Sequence, residues 1–376
     1  MKARSLTVLG STGSIGRQTL EVAAKDGFKV VALAAGQNLD LLIEQARTFK
    51  PAYVAIADDS KRSTLQEALP DTKICSVQEA GAVDADVTMA AIVGTAGLAP
   101  TMAAVKRGKT VAFASKECLV AAGTLMMDAV KKHGTTFLPV DSEHNAIFQV
   151  WDQGRGLKRI VLTASGGPFR EWSAEQIANA TIEQALAHPT WKMGPKISID
   201  SATLMNKALE VIEAHHLFAL PSAQIDVILH PQSTVHGMAE FVDGSFLAQL
   251  GPADMRTPIS VCLGWPDRVE TPGQRMDLSK LARLDFSEPD TAKFPALALV
   301  RDVLAGKQAD SIIFNAANEV AVAAFLAGQI PFRGIVDTVA RMLDICHKPA
   351  INSLDDVYAC DDNVRRTTHE ALKKVA

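Results

Sequence analysis

The sequence has 376 residues, of which 48% are hydrophobic and 21% charged, and its formal net charge is −4. This composition is typical of a folded globular protein and excludes disorder, collagen and coiled coil as the main architecture. Acidic and basic residues are interspersed, so no basic stripe is available for a nucleic-acid backbone, and we predict no nucleic-acid partner. The length exceeds what one hydrophobic core usually holds, which favours two or three domains.

The cysteines and the apolar runs bear on the location of the protein. The five cysteines are scattered, without a CxxC pair, which indicates reduced core thiols. The N-terminal segment lacks the apolar run of a signal peptide, and no run reaches the roughly 18 apolar residues of a membrane span. We therefore predict a cytoplasmic protein that does not bind a membrane.

The first part of the chain alternates apolar, β-branched runs with segments of helical spacing. The runs predicted as strands are SLTVLG (5–10), FKVVALAAG (28–36), AYVAIAD (52–58), ADVTMAAIVG (85–94) and KTVAFAS (109–115). Strands that alternate with helices form βαβ units and a mostly parallel sheet. The sequence therefore predicts an α/β fold with a Rossmann-like parallel-sheet domain at residues 1–140.

The pattern changes from about residue 158 onward. The runs KRIVLTASGGPF and AQIDVILHPQSTVHGMAEFVDGSFLAQLG predict strands of a mixed sheet, with a hairpin turn at Asp243-Gly244. This indicates an α+β domain at 141–264. Residues 265–291 have little periodicity and are predicted as a linker, whereas apolar residues at helical spacing predict a C-terminal helical domain at 292–376.

A glycine-rich loop follows the first predicted strand. Gly10, Gly13 and Gly16 lie between that strand and a helix, where backbone N–H groups can approach a pyrophosphate, although a bare tight turn would give the same pattern. The second strand ends at Gly36, with no carboxylate to hold a ribose 2′-hydroxyl or repel a 2′-phosphate. NADP is therefore favoured over NAD.

The charge needed for that preference is not fixed by the adjoining residues. Gln37 and Asn38 are neutral, so Arg17 or a lysine from elsewhere must supply the positive charge. Alternatively, Gln37 and Asn38 are only polar turn residues.

Two carboxylates flank a serine in the stretch TTFLPVDSEHNAIFQ. If this apolar run continues as a strand, Asp141 and Glu143 project to the same side, where they repel each other unless a positive group lies between them. A divalent cation such as Mg²⁺ or Mn²⁺ prefers carboxylate oxygens. A solvated loop remains the alternative.

A second polar set lies in the segment ISIDSATLMNKALEVIEAHHLF. Helical spacing places Asn206, Lys207 and Glu210 on one face, and Ser201 or Asp200 is expected to cap the start of that helix. Such a face suits a charged ligand. An exposed face with an ordinary Lys–Glu pair is the alternative.

Several long blocks of the sequence resemble one enzyme family in order along nearly the whole chain. The blocks are GSTGSIG (10–16), SKE (115–117), PVDSEHNAIFQ (139–149), TASGGPF (163–169), HPTWKMGPKISIDSATLMNKALEVIEA (188–214), HPQSTVHGM (230–238), DMRTPI (254–259) and FNAANEVAVAAF (314–325). Together they resemble the 1-deoxy-D-xylulose 5-phosphate reductoisomerase family.

This resemblance implies an activity. The chain is expected to rearrange 1-deoxy-D-xylulose 5-phosphate and to reduce the resulting aldehyde with NADPH, giving 2-C-methyl-D-erythritol 4-phosphate in the non-mevalonate isoprenoid pathway. Both a retro-aldol/aldol route, which is favoured, and an α-ketol shift remain open. Fosmidomycin is expected to inhibit the enzyme, and a homodimer is expected.

The resemblance also implies site residues. A divalent cation, Mg²⁺ or Mn²⁺ with Co²⁺ as a further candidate, is expected on Asp141, Glu143 and Glu210, which with Lys116 form the catalytic set. The substrate-binding residues are expected to be Lys116, Ser142, Glu143, Ser165, His188, Trp191, Ser201, Asn206, Lys207 and Glu210, with a mobile lid at about 165–195. The cofactor-binding residues are expected to be Thr12, Gly13, Ser14, Ile15, Gly36, Gln37, Asn38, Ser115, Glu117 and Gly194.

Two departures from the family and two rival functions bear on these expectations. This chain has Gln37 where family members often have lysine, and Ser115 where they often have asparagine. A plain NADP-dependent dehydrogenase would share the glycine loop but would need no metal carboxylates. An NADP-sensing protein would bind the cofactor without turnover.

Overall fold

The structure, a computed structural model, describes residues 4–191 and 193–373. Its strands are β1 Ser5–Leu9, β2 Lys29–Ala35, β3 Tyr53–Ile56, β4 Lys73–Cys75, β5 Val87–Ala90, β6 Thr110–Phe113, β7 Thr136–Pro139, β8 Leu157–Ala164, β9 Ile225–Leu229, β10 Val235–Phe241 and β11 Phe246–Leu250. Its helices are α1 Ser14–Lys25, α2 Leu39–Phe49, α3 Arg62–Ala68, α4 Val77–Gly81, α5 Leu98–Val105, α6 Lys116–His133, α7 Ser142–Val150, α8 Ala174–Ala178, α9 Ile182–Leu186, α10 Pro195–Ala202, α11 Met205–Phe218, α12 Arg256–Gly264, α13 Leu278–Leu281, α14 Ala296–Ala305, α15 Gln308–Leu326, α16 Gly334–Ile345 and α17 Leu354–Lys373.

The chain packs into two compact units. The first unit contains residues up to 118, residues 126–148 and residues 254–275, and the second contains residues 119–125, 149–253 and those from 276 onward. Helix α6 is interrupted at Ala122, where φ is −136° and the backbone is not helical. The three-domain division with boundaries at 140, 264 and 291 stays a prediction.

The first unit contains a seven-stranded sheet with the order β4-β3-β2-β1-β5-β6-β7. Every pairing in it is parallel, as the alternation of strands and helices predicts. The Rossmann-like fold is therefore confirmed. Strand β4 was not predicted, because its three residues are too few to show a period.

Apolar side chains cover both faces of this sheet. On one face, Leu20 of α1 and Leu42 of α2 share a core with Ile259 of α12, a helix from much later in the chain. On the other face, Ala80 of α4 packs with Leu9 of β1. Strands buried on both sides explain why the runs are apolar throughout rather than alternating.

The second unit contains a mixed four-stranded sheet with the order β11-β10-β8-β9. Strand β8 pairs parallel with β9, and β10 pairs antiparallel with both β8 and β11. The predicted hairpin is present, since Gly244 has φ +87° and its N–H donates to Phe241 O at 3.0 Å. The predicted mixed sheet is confirmed.

Helices complete the second unit. Helix α11 packs on β8 and β9, and α15 packs against α14, α16 and α17. By length and composition α15 could cross a membrane, but 83% of its most apolar window is buried inside the structure, as in the core helix of a folded unit. The expectation that the protein does not bind a membrane stays a prediction.

Candidate active site

The glycine loop between β1 and α1 is tightly constrained. Gly10 has φ +85°, and a Cβ on it would lie 2.4 Å from Ala91 O. A Cβ on Gly16 would lie 2.2 Å from Gly10 O, so both positions require glycine. No side chain caps the start of α1, and its first turn carries no acidic residue. Thr12, Gly13, Ser14 and Ile15 lie at this helix start, whose N–H groups suit an anion such as a pyrophosphate.

The end of β2 presents three exposed residues, Gly36, Gln37 and Asn38. Asn38 Oδ1 accepts a hydrogen bond from Leu41 N at 3.2 Å and so caps α2. The turn role that the sequence left open for Asn38 is therefore present. The N–H of Asp58 donates to Gly36 O at 3.2 Å, which holds this loop beside the end of β3.

Two further predicted cofactor residues follow β6. Ser115 is 1% exposed, and its hydroxyl donates to Ala90 O at 3.2 Å, at the end of β5. Glu117, in the first turn of α6, is 4% exposed. Both residues thus lie at the carboxyl ends of parallel strands, where ligands of such sheets bind.

Asp141 and Glu143 do not lie on one strand, so that expectation was wrong. Strand β7 ends at Pro139 and helix α7 begins at Ser142. Ser142 N donates to Asp141 Oδ1 at 3.0 Å, and Asn145 N donates to Asp141 O at 2.8 Å. Asp141 therefore precedes the helix, and its carboxylate accepts a hydrogen bond from one of the free N–H groups at the helix start, while Glu143 lies in the first turn.

Lys116 joins Asp141, Ser142 and Glu143 in a compact polar group within the first unit. Lys116 Nζ lies 2.5 Å from Asp141 Oδ2, and the two side chains are only 12% and 17% exposed. Ser142 Oγ donates to Glu143 Oε2 at 2.5 Å. The structure thus brings together Lys116, Asp141, Ser142 and Glu143, with the Lys116 ammonium beside the Asp141 carboxylate and the Ser142 hydroxyl on Glu143.

Asn206, Lys207 and Glu210 share one face of α11, as predicted. Asn206 Nδ2 donates to Glu210 Oε1 at 2.5 Å, and Lys207 forms an ion pair with the same carboxylate. Lys207 is 3% exposed and Glu210 is 0% exposed. The alternative of an exposed Lys–Glu pair is therefore wrong, because this face is buried.

Ser201 does not lie at the start of a helix, so the predicted cap was wrong. Helix α10 begins at Pro195, whose fixed φ favours the first helical position, and Gly194 precedes it as the N-cap. Ser201 lies in the last turn of α10. Leu204 then adopts a left-handed conformation with φ 56°, so the segment is two helices rather than one.

Asp200, the other expected cap, serves a different purpose. It is 1% exposed and lies 2.7 Å from Lys196 Nζ. Its Oδ1 also accepts a hydrogen bond from Asn318 Nδ2 at 2.8 Å, which ties α10 to α15.

Ser165 Oγ and His188 Nε2 are joined by a hydrogen bond of 3.0 Å. The N–H groups of Thr190 and Trp191 both approach His188 Nδ1, at 3.2 and 2.9 Å, so Nδ1 is the acceptor and Nε2 carries the proton. Burial lowers the pKa of His188, which favours this neutral form. Gly167 N also donates to Ser165 Oγ at 3.2 Å, so the serine proton is free for another acceptor.

Ser201 and Trp191 are close to other predicted substrate residues. A Cβ on Gly167 would lie 2.7 Å from Ser201 O, so the segment after Ser165 packs directly on Ser201. Trp191 N donates to Nδ1 of the predicted residue His188 at 2.9 Å, and the Trp191 ring also lies 6.2 Å from the ring of His236, which was not predicted. Gly194 has open space around its Cα.

The chain matches three family models and many relatives. The models are described as 1-deoxy-D-xylulose 5-phosphate reductoisomerase (residues 6–123), its C-terminal domain (137–218) and the DXP reductoisomerase C-terminal domain (250–367). The 1-deoxy-D-xylulose 5-phosphate reductoisomerase of Rhodospirillum centenum is 53% identical over 98% of this chain and 94% of its own length. The chain belongs to the 1-deoxy-D-xylulose 5-phosphate reductoisomerase family.

Solved structures agree with this membership. The reductoisomerase from Zymomonas mobilis in complex with NADPH has a TM-score of 0.93 and 46% identity, over 99% of both chains. A DOX-P reductoisomerase in complex with NADPH, fosmidomycin and magnesium has a TM-score of 0.94 and 40% identity, over 99% of both chains. The reductoisomerase fold thus extends over nearly the whole chain.

In this member of the reductoisomerase family, three polar contacts were not foreseen. Lys61 donates to Gln37 O, and Lys196 and Asn318 both hold Asp200. No short motif marks them, since Asn318 is 118 residues from its partner in the sequence. Lys61 is the one contact of the three for which the sequence provided a reason, because the neutral Gln37 loop required positive charge from Arg17 or a lysine elsewhere.

Proposed function

We infer that this chain converts 1-deoxy-D-xylulose 5-phosphate and NADPH into 2-C-methyl-D-erythritol 4-phosphate and NADP⁺, in the presence of a divalent cation. The observation that carries this inference is the 53% identity to a reductoisomerase over 98% of the chain. The reaction combines a carbon–carbon rearrangement with one hydride transfer. It belongs to isoprenoid synthesis by the non-mevalonate route.

We propose that Asp141, Glu143 and Glu210 hold the divalent cation. Three carboxylates form the oxygen-rich ligand set that Mg²⁺ and Mn²⁺ prefer, and solved relatives are complexes with magnesium. When bound, the cation would withdraw electron density from the substrate's carbonyl and hydroxyl oxygens while the carbon–carbon bond breaks. Lys116, adjoining Asp141, would add a fixed positive charge, and Ser142 would hold a substrate oxygen.

The substrate phosphate is assigned to five side chains that are rich in hydrogen-bond donors. They are Ser165, His188, Ser201, Asn206 and Lys207. The free hydroxyl proton of Ser165 supports this assignment, because a phosphate oxygen is a strong acceptor. Anchoring the unreacting phosphate would position the reacting end of the substrate. Residues 165–195, including Trp191, would act as a mobile lid that excludes water from the aldehyde.

We assign the cofactor to the glycine loop and the neighbouring strand ends. Thr12, Gly13, Ser14 and Ile15 would adjoin the pyrophosphate, and the close packing of Gly10 and Gly16 supports the backbone approach this needs. Gly36, Gln37, Asn38, Ser115, Glu117 and Gly194 would make the further contacts. Relatives solved with NADPH support the choice of cofactor.

A homodimer and a cytoplasmic location belong to the same proposal. Strand β11 is an edge of the mixed sheet, and Phe246 and Leu247 on it are 48% and 50% exposed. An exposed apolar edge strand suits pairing with a second copy.

The described cysteines are all buried free thiols, which fits a reducing compartment. We further propose that the protein binds neither nucleic acid nor membrane.

The deciding experiment follows NADPH absorbance with 1-deoxy-D-xylulose 5-phosphate, with EDTA and then with Mg²⁺ or Mn²⁺ added back. We expect oxidation only with both substrate and metal. Metal-independent oxidation would favour a plain dehydrogenase. Cofactor binding without any oxidation would favour an NADP sensor.

A further inference from the structure

The adenosine end of the proposed cofactor site needs a positive charge that its own loop does not provide. Gly36, Gln37 and Asn38 are neutral and exposed at the end of β2. A ribose 2′-phosphate carries about −1.5 to −2 charges, by analogy with other phosphate monoesters, and is bound by charged donors. A cation from another part of the first unit must therefore reach this loop if NADPH is preferred.

Lys61 lies within reach of this loop. Its ammonium donates a hydrogen bond to Gln37 O at 2.8 Å, and its side chain is 36% exposed. We propose that Lys61 binds the 2′-phosphate of NADPH and thereby sets the preference for NADPH over NADH. This inference rests on the proposed function, since it assigns a contact within the same cofactor site.

The backbone brings Lys61 to this position. Strands β2 and β3 are parallel neighbours, and beyond them Asp58 N bonds to Gly36 O at 3.2 Å. A short turn follows, in which Lys61 N donates to Asp58 O at 3.0 Å and Ser60 Oγ donates to Asp58 Oδ1 at 2.6 Å. The turn directs the lysine back across the carboxyl end of β2.

The ammonium retains capacity for a ligand. It lies 3.2 Å from Asp58 Oδ2 in addition to its contact with Gln37 O, so these partners use two of its three N–H donors. Hydrogen bonds from Ser60, followed by the one from Lys61, lower the pKa of Asp58 and keep it ionised. Asp58 therefore fixes the direction of Lys61, and the third donor is available to a phosphate oxygen.

A purely structural role for Lys61 makes a different prediction. If Lys61 only holds the Gln37 loop in place, its loss should weaken every adenosine ligand equally. If it binds the 2′-phosphate, its loss should weaken only ligands that carry this group. The two probes that separate these cases are adenosine 2′,5′-bisphosphate and adenosine 5′-monophosphate.

The test measures the affinity of the full chain for both probes by calorimetry in Lys61→Met, Lys61→Arg and the control Lys106→Met. Lys106 is an exposed lysine of the same unit and matches the lost charge. Since a charge-assisted hydrogen bond is worth about 1.5–3 kcal/mol, we expect the bisphosphate Kd of Lys61→Met to rise about ten- to a hundredfold. The monophosphate Kd should stay within about twofold of wild type, and Lys61→Arg should recover most of the loss.

Equal effects on both probes, no effect on either, or a Lys61→Arg variant as weak as Lys61→Met would overturn the proposal. The KM for NADPH divided by the KM for NADH gives a second readout, and this ratio should rise in Lys61→Met. Selective bisphosphate binding in a protein that does not turn over the sugar phosphate would refute the proposed function alone. Full turnover with an unchanged probe selectivity in Lys61→Met would refute this inference alone.

Discussion

The ammonium of Lys116 lies 2.5 Å from the carboxylate of Asp141, within the first unit. The two residues follow adjacent parallel strands, β6 and β7, whose carboxyl ends meet at one edge of the sheet. The position of the pair is therefore set by the sheet itself, and a mobile loop is not needed to assemble it.

Replacing Lys116 with methionine should lower kcat by about a hundredfold or more, since a fixed charge at a reacting oxygen contributes about that much. Affinity for NADPH should change little, because the glycine loop is untouched. Steady-state kinetics and cofactor titration measure the two effects. Lys106→Met is the matched control, and a Lys116→Met variant with wild-type kcat would contradict the assigned role.

Replacing Glu210 with glutamine should abolish turnover and weaken Mn²⁺ binding, while NADPH binding persists. Glutamine keeps the size of the side chain and its contact with Asn206 but removes the charge that pairs with Lys207. Manganese binding is followed by electron paramagnetic resonance. Loss of one partner of a buried pair costs about 3–5 kcal/mol, so thermal unfolding must show that the variant is folded. Unchanged manganese affinity in a folded variant would exclude Glu210 as a ligand.

Replacing Ser165 with alanine should raise the KM for the sugar phosphate about tenfold, with a smaller effect on kcat. The variant loses the hydroxyl proton that His188 and Gly167 leave free for the phosphate. Inorganic phosphate should also compete less well in this variant. Ser245→Ala, in the exposed hairpin of the mixed sheet, is the control, and an equal rise in KM there would make the effect nonspecific.

The lowered pKa of His216 should make the free energy of unfolding depend on pH. Burial, and to a smaller extent the charge of His215, lowers the pKa of His216 to about 4, and its ring lies directly over Gly123. Because the unfolded state binds the proton more readily, the contribution of His216 is complete above about pH 6.5 and is lost as the pH falls towards 4. The expected loss from this residue is roughly 3 kcal/mol.

Urea unfolding at several pH values measures this loss. A His216→Gln variant should show a flatter dependence between pH 6.5 and 4, whereas His369→Gln, at an exposed position, should follow wild type. Parallel curves for wild type and His216→Gln would show that His216 does not control acid stability.

The sequence was sufficient for the elements that depend on local pattern. Alternating strands and helices predicted the parallel sheet, and helical spacing predicted the shared face of Asn206, Lys207 and Glu210. Errors arose where one residue decides a boundary. The helix at Ser142 begins after only two intervening residues beyond the strand, and Pro195 starts a helix earlier than expected. Lys61 and Asn318 depend on contacts between distant segments, which spacing does not reveal.

The path of the backbone has a consequence for dissecting this enzyme. The chain passes from one unit to the other five times, after residues 118, 125, 148, 253 and 275. Leu119, Val120 and Ala121 are 0% exposed and belong to the second unit, although both ends of their helix, α6, belong to the first. A fragment cut after Phe148 would carry these apolar residues without their native neighbours. Neither unit is therefore a module that gene fusion or truncation can transplant intact.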